Sequence, residues 1–130
     1  MNRAVIAIGS NIEPERHVQA ALDRLAAGQK LLAKSRFRRT DPIDRPDQPQ
    51  FLNGVALIET SLDRRGLKQW LREVEADLGR VRSEDKFAPR TIDLDIVVFN
   101  EGIVDPLVYE RGFLREAVAE VCPTLPLGRA

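Results

Sequence analysis

Apolar and polar positions along the chain alternate between two rhythms, one of strands and one of helices. "RAVIAIG" (3–9) is a β-branched apolar run closed by Gly9, and it predicts a first strand. In "SNIEPERHVQAALDRLAAG" the period lengthens. Val18, Ala21, Leu22 and Leu25 fall at helical spacing, Pro14 suits the first turn with Glu13 and Glu15 beside it, and Gly28 closes the run. "KLLAKSRFRRT" (30–40) predicts a second strand and "FLNGVALIETSL" (51–62) a third. Asp63 is placed to cap a second helix whose apolar face is Leu67, Trp70, Leu71, Val74 and Leu78, with Gly79 as its stop. "RTIDLDIVVFN" predicts a fourth strand. The tail, 101–130, offers a short apolar piece, a helix near 113–121 and a Pro-rich end. Two polar loops separate these elements: "DPIDRPDQPQ" (41–50), long for a small domain and therefore a candidate for function, and the charged "RVRSEDKFAP" (80–89).

The element order is β-α-β-β-α-β. We expect an α+β fold of the ferredoxin-like βαββαβ type, an antiparallel sheet with both helices packed on one face and a short C-terminal extension, forming a single domain over 1–130. Such a fold hosts many chemistries and selects none of them.

Composition narrows the function. The chain has 130 residues, 43% of them apolar and 31% charged, and Lys+Arg and Asp+Glu both count 20. A net charge of zero argues against a general nucleic-acid binder, whose affinity comes from a basic surface. The strands also lack the aromatic pattern of ferredoxin-like RNA binders. Arginine dominates the cations, 16 to 4 over lysine, which suits forked recognition of phosphate or carboxylate, although genome composition gives the same bias. One cysteine, Cys122, permits no internal disulfide, and we expect it to be a small packed hydrophobe. The first apolar run is too short for a signal peptide and no run reaches membrane-spanning length, so we expect a cytoplasmic protein.

Two acidic residues are hard to explain as scaffold. The apolar run "TIDLDIVVF" carries two carboxylates, Asp93 and Asp95, which share a strand face. Aspartate is a poor strand former, and two side by side repel each other unless something positive lies between them. A hard divalent cation such as Mg²⁺ takes one or two carboxylates together with phosphate oxygens. Solvent-facing aspartates paired with nearby arginines would give the same spacing. Arg80, Arg82 and Arg90 bracket the loop before this strand and present planar forks that match phosphate. Carboxylates for metal beside such arginines suit phosphoryl transfer. "AIGSN" is no P-loop, since it has one glycine and no Lys-Ser/Thr. His17, the only histidine, is expected at the surface, so neither a His-based triad nor a His zinc site can be built. In "DQPQFLN", Phe51 and Asn53 share a face, and an aromatic beside an amide suits a flat heterocycle. A core Phe with a turn-satisfying Asn reads the same way.

Taken in order, "AIGSN", "RTDPI", "DQPQFLNGVALIETSL", "VEADLGRVRSEDKFAPRTIDLDIVVF" and "RGFL" resemble the 6-hydroxymethyl-7,8-dihydropterin pyrophosphokinases of folate biosynthesis, over about residues 4 to 125. The resemblance implies transfer of a diphosphate from ATP to the pterin hydroxymethyl oxygen with release of AMP. It also implies two Mg²⁺ ions on Asp93 and Asp95. We expect small-molecule partners, ATP and the pterin, with no nucleic acid or membrane, and a monomer. By the same resemblance Arg80 and Arg90 reach the phosphates, assisted by Arg82. Phe51 and Phe113 sandwich the pterin, Asn53 reads its edge, and Thr40, Asp41 and Ile43 add mainly backbone contacts. Arg72, Glu75, Ile96 and Arg111 line the nucleotide site, and Phe87 stands where the family usually has a Trp. The chain departs from the family pattern in two places. Arg38 replaces a common aromatic. The segment from Asp95 to Arg111 is short, with Asp105-Pro106 where a His-Pro pair is usual. The shortened segment motivates a second reading, a non-catalytic or altered-specificity relative that binds a pterin or nucleotide.

Overall fold

The computed structural model describes residues 1–41, 50–79, 91–105 and 112–122. Strand β1 (Asn2–Ser10) is the centre of an antiparallel sheet. It pairs on one side with β4 (Phe51–Thr60) and on the other with β5 (Asp93–Phe99). The second predicted strand is two pieces, β2 (Lys30–Lys34) and β3 (Arg38–Thr40), both paired to β4. Ser35 makes the break: its backbone N–H donates to the Val55 carbonyl (2.9 Å), and its Oγ accepts from Val55 N (2.9 Å) and donates to the Arg36 carbonyl. The short apolar piece of the tail is β6 (Gly102–Ile103), which folds back onto Val98 and Phe99 through Asn100 at φ 55°. The sheet order is β2-β4-β1-β5-β6, with β3 beside β4.

Helix α1 (Pro14–Gly28) starts at its proline, as predicted. Helix α2 (Arg64–Asp77) is capped by Asp63, whose Oδ1 accepts from Gly66 N at 2.7 Å. Beyond it Gly79 takes φ 98°, a left-handed conformation that a side chain would strain. Both helices lie on one face, where Val18, Ala21, Leu22 and Leu25 of α1 and Leu67, Leu71 and Val74 of α2 pack on Ala4, Ile6, Ile8, Ala56, Ile58, Leu94 and Ile96. The tail helix α3 (Gly112–Val121) covers the opposite face. There Leu114, Ala117, Val118 and Val121 pack on Val5, Val55, Val97 and Val98, and Cys122 packs at the margin. The sheet is therefore covered by helices on both faces. The expected one-face packing holds for α1 and α2 alone, because Val5, Val55 and Val97 give the second face an apolar surface of its own.

His17 departs from expectation. It is buried at the start of α1, where its Nδ1–H donates to the Ile12 carbonyl and so serves the turn between β1 and the helix. Among the described residues, no helix is long and apolar enough to cross a membrane.

Candidate active site

Cross-strand register brings the candidate residues together. Gly9 of β1 pairs with Asn53 on one side and Asp93 on the other, and Ala7 pairs with Val55 and Asp95. Residues paired across strands share a face, so Asn53, Gly9 and Asp93 form one row and Val55, Ala7 and Asp95 the next. The two strand spacings put Asn53 and Asp93 roughly 10 Å apart, with only glycine and alanine on the strand between them. The result is a shallow hollow with an amide on one bank and two carboxylates on the other. It lies on the face that carries α3, whose packing reaches Val5, Val55, Val97 and Val98.

The amide bank is fixed in orientation. Asn53 Nδ2 donates to Thr40 Oγ1, and Asn53 Oδ1 lies over Gly9, where an added β-carbon would come within 2.5 Å of it. A carbonyl acceptor is thereby offered to the N–H edge of a ligand. Phe51 pairs with Thr40 one step outward on the same face, beyond the end of β1, and Phe113 stands in the first turn of α3 against the cluster on that face. Asp41 is exposed and accepts from Gln50 Nε2 at 2.9 Å, joining the two ends of the loop between them.

The acid bank carries the electrostatics. Asp93 and Asp95 lie on one face of β5, close enough for their charges to act on each other. Burial and then the neighbouring Asp93 push the Asp95 carboxyl up to about 6, against the opposing pull of Arg72. Two half-buried carboxylates that resist joint ionisation make an all-oxygen donor set that a hard divalent cation would satisfy. Among the described residues no third carboxylate, histidine or cysteine joins them, so a cation held here would keep coordination positions for phosphate oxygens and water.

Behind the acid bank, α2 closes the free edge of β5. Glu75 is buried; its Oε2 accepts from Leu94 N (2.8 Å) and its Oε1 from Arg72 Nη1 (3.0 Å). Arg72 also donates to the Leu94 carbonyl (3.0 Å) and to Asp95 Oδ1 (3.4 Å). Burial alone would lower the Arg72 guanidinium, but Glu75 and Asp95 outweigh it and hold the group above its ordinary value. Along this edge runs a cleft of about 230 Å³ lined by Arg72, Leu71, Leu94, Asp95, Ile96 and Val104, with Arg64, Lys68 and Asp105 at its rim. Arg72 and Ile96, expected beside a nucleotide, line this cleft, and Glu75 anchors its arginine.

Ile43, Arg80, Arg82, Phe87, Arg90 and Arg111 lie outside the described residues. Sequence reasoning missed Gly9 as the floor of the hollow. It also missed Arg64 and Lys68, although with Arg72 they make a cation stripe at four-residue intervals on a predicted helix.

Comparison with known proteins gives the site its context. A sequence profile described as 7,8-dihydro-6-hydroxymethylpterin-pyrophosphokinase (HPPK) matches residues 5–123. A 2-amino-4-hydroxy-6-hydroxymethyldihydropteridine pyrophosphokinase of Pseudomonas aeruginosa is 37% identical, covering 98% of this chain and 85% of the relative. A protein of the same name from Methylorubrum extorquens is 38% identical over 98% of this chain and 87% of its own length, and one from Bacillus subtilis is 38% identical over 93% and 78%. The profile spans both banks of the hollow and the cleft behind it, and the chain belongs to the 7,8-dihydro-6-hydroxymethylpterin-pyrophosphokinase family.

Proposed function

We propose that this chain transfers the terminal diphosphate of ATP to the hydroxymethyl oxygen of 6-hydroxymethyl-7,8-dihydropterin, releasing AMP, as a step of folate synthesis. One observation carries the reading: the row Asn53–Gly9–Asp93 sets a fixed amide acceptor and a pair of carboxylates on opposite banks of one hollow. A pterin read by Asn53 would hold its hydroxymethyl group toward the carboxylates. The catalytic reading is favoured over a non-catalytic binder, since the relatives named above are pyrophosphokinases by name.

In the reaction the hydroxymethyl oxygen forms a bond to the β-phosphorus as the bond from that phosphorus to the α,β-bridging oxygen breaks, and the hydroxyl proton is lost. Asn53 Oδ1 accepts from the pterin N–H edge, and Phe51 and Phe113 hold the ring by stacking. Asp93 and Asp95 would hold Mg²⁺, two ions in this reading, which supply Lewis-acid neutralisation of phosphate charge when bound. Arg80 and Arg90, with Arg82, donate to the phosphates; Arg72, Glu75, Ile96, Phe87 and Arg111 belong to the nucleotide side. Thr40 orients Asn53, and Asp41 and Ile43 border the pterin. Positioning supplies much of the rate, because bringing two bound reactants into line removes most of the entropic cost of their meeting.

The finer fold assignment, a ferredoxin-like single domain, is supported by the strand order once β2 and β3 are counted as one strand. The reading treats the chain as a cytoplasmic monomer, since a single copy supplies both banks of the hollow. An assay of AMP release from ATP, Mg²⁺ and the hydroxymethyl dihydropterin tests the whole proposal. AMP formed only when the pterin is present supports it, and no AMP with all three present refutes it.

A further inference from the structure

The cleft along the β5 edge has a composition that the transfer chemistry leaves unexplained. Its floor is aliphatic: Leu71, Leu94, Ile96 and Val104. One end holds Asp95 and Arg72, beside the carboxylates of the hollow. Away from that end Lys68 and Arg64 continue along α2, and Asp105, after β6, also lines the cleft. Arg64, Lys68 and Arg72 follow one another at four-residue intervals, so they form one stripe of α2 about 12 Å long. The three differ in their partners. Arg72 is occupied by Glu75, Leu94 and Asp95, whereas Arg64 and Lys68 are exposed and make no ion pair with any described residue.

Unpaired cations on a helix surface are ordinary. These two border an aliphatic trough that ends at the carboxylates. A flat base fits an aliphatic floor, and a chain of phosphates reaching Asp95 would leave its nucleoside lying along that floor toward Lys68 and Arg64.

We propose that Arg64 and Lys68 are nucleotide-binding residues that form the cationic rim of the cleft and set the affinity for MgATP without taking part in transfer. This rests on the pyrophosphokinase reading above. Two solvent-exposed charges acting together correspond to a change in affinity of about tenfold. In the R64Q/K68Q double variant, KM for MgATP therefore rises about tenfold, while kcat and KM for the pterin stay within about twofold. The dependence of KM on salt is weaker in the variant than in the wild type. Calorimetry with Mg²⁺ and α,β-methylene ATP, which cannot transfer its diphosphate, reads the same loss without turnover. An unchanged analogue affinity in the double variant, or a fall in kcat at unchanged KM, overturns the inference. A wild-type protein that binds the analogue but releases no AMP would refute the function proposed above. The effect of the double variant on analogue affinity would still decide the role of the rim.

Discussion

Gly9 and Asn53 face each other across β1 and β4 so closely that a β-carbon on Gly9 would lie 2.5 Å from Asn53 Oδ1. That clash is with the polar end of a side chain whose other arm is tied to Thr40. Gly9→Ala therefore rotates or displaces the amide and costs little elsewhere, because β1 is extended at this point and tolerates alanine. Misplacing a positioning group by about 1 Å costs on the order of 10²-fold in rate. We expect Gly9→Ala to lose about that much in kcat/KM for the pterin, while KM for ATP and the melting temperature change little. Steady-state kinetics with each substrate varied in turn checks it, and normal pterin kinetics would remove Asn53 from the site.

Asp95 is the next point of attack. It stands half-buried beside a second carboxylate, which is unfavourable for the fold in the absence of a cation. Asp95→Ala removes both the repulsion and the proposed metal ligand. We expect turnover to fall by at least about 10³-fold, or roughly 4 kcal/mol of transition-state stabilisation. Stability in metal-free buffer should be unchanged or slightly higher, apart from the loss of the long hydrogen bond to Arg72. Activity and thermal unfolding measured on the same preparation separate the two. Retention of normal activity would rule out the metal assignment.

The same pair predicts a pH dependence. The Asp95 carboxyl is raised in the fold from an ordinary value near 3.8 to about 6, by burial first and by Asp93 second. Between those values the native state holds a proton that the unfolded chain has lost. The contribution of Asp95 to stability is therefore fully present below about 3.8 and is lost as pH rises through about 6. A bound divalent cation reverses the sign by favouring the ionised pair, so cation affinity falls as pH drops below about 6. Carboxyl carbon NMR should find the Asp95 midpoint near 6 without metal and well below it with Mg²⁺ and α,β-methylene ATP present. An unperturbed midpoint without metal would contradict the burial of the pair.

Much of this was readable from local chemistry. The cap at Asp63, the stop at Gly79 and the buried stripes of α1 and α2 follow from propensities and periods that act within a few residues, and the shared face of Asp93 and Asp95 follows from strand geometry alone. What escaped is set by partners distant in sequence. The run 30–40 reads as one strand, because the break at Ser35 is made by Val55, twenty residues on. His17 reads as a surface residue on a polar stretch, because its partner is a carbonyl of the preceding turn. The face chosen by α3 depends on an apolar surface assembled from three strands. Gly28 was legible as a helix end. Trp70 packs against it so closely that a β-carbon there would lie 2.4 Å from the indole, a contact between two helices that no local pattern announces. Half of the candidate site, Asn53, Asp93 and Asp95, came from residue type and spacing. Gly9 and the α2 stripe needed the register and the cleft.

Glu75 shows how a residue expected on the nucleotide side can be chiefly structural. β6 covers β5 only at Val98 and Phe99, so the edge of β5 near Leu94 has no neighbouring strand among the described residues. Glu75 and Arg72 take its place, one accepting from the Leu94 amide and the other donating to the Leu94 carbonyl. Glu75→Ala leaves a buried amide without its acceptor and removes a carboxylate that helps hold Arg72 in position. Breaking a buried charge pair from one side costs about 3–5 kcal/mol, and exposure of the Arg72 guanidinium to solvent puts the expected loss at the low end, near 3 kcal/mol. Glu75→Gln keeps an acceptor for Leu94 N and loses only the charge, so its cost should be about half as large. Denaturant unfolding of the two variants reads the difference. A catalytic role alone would predict equal stability for both and a shared loss of turnover, whereas an edge-capping role predicts the ranking Ala below Gln below wild type. In Glu75→Gln, activity should fall mainly through KM for ATP, since Asp95 is then the one carboxylate left to Arg72 among the described residues.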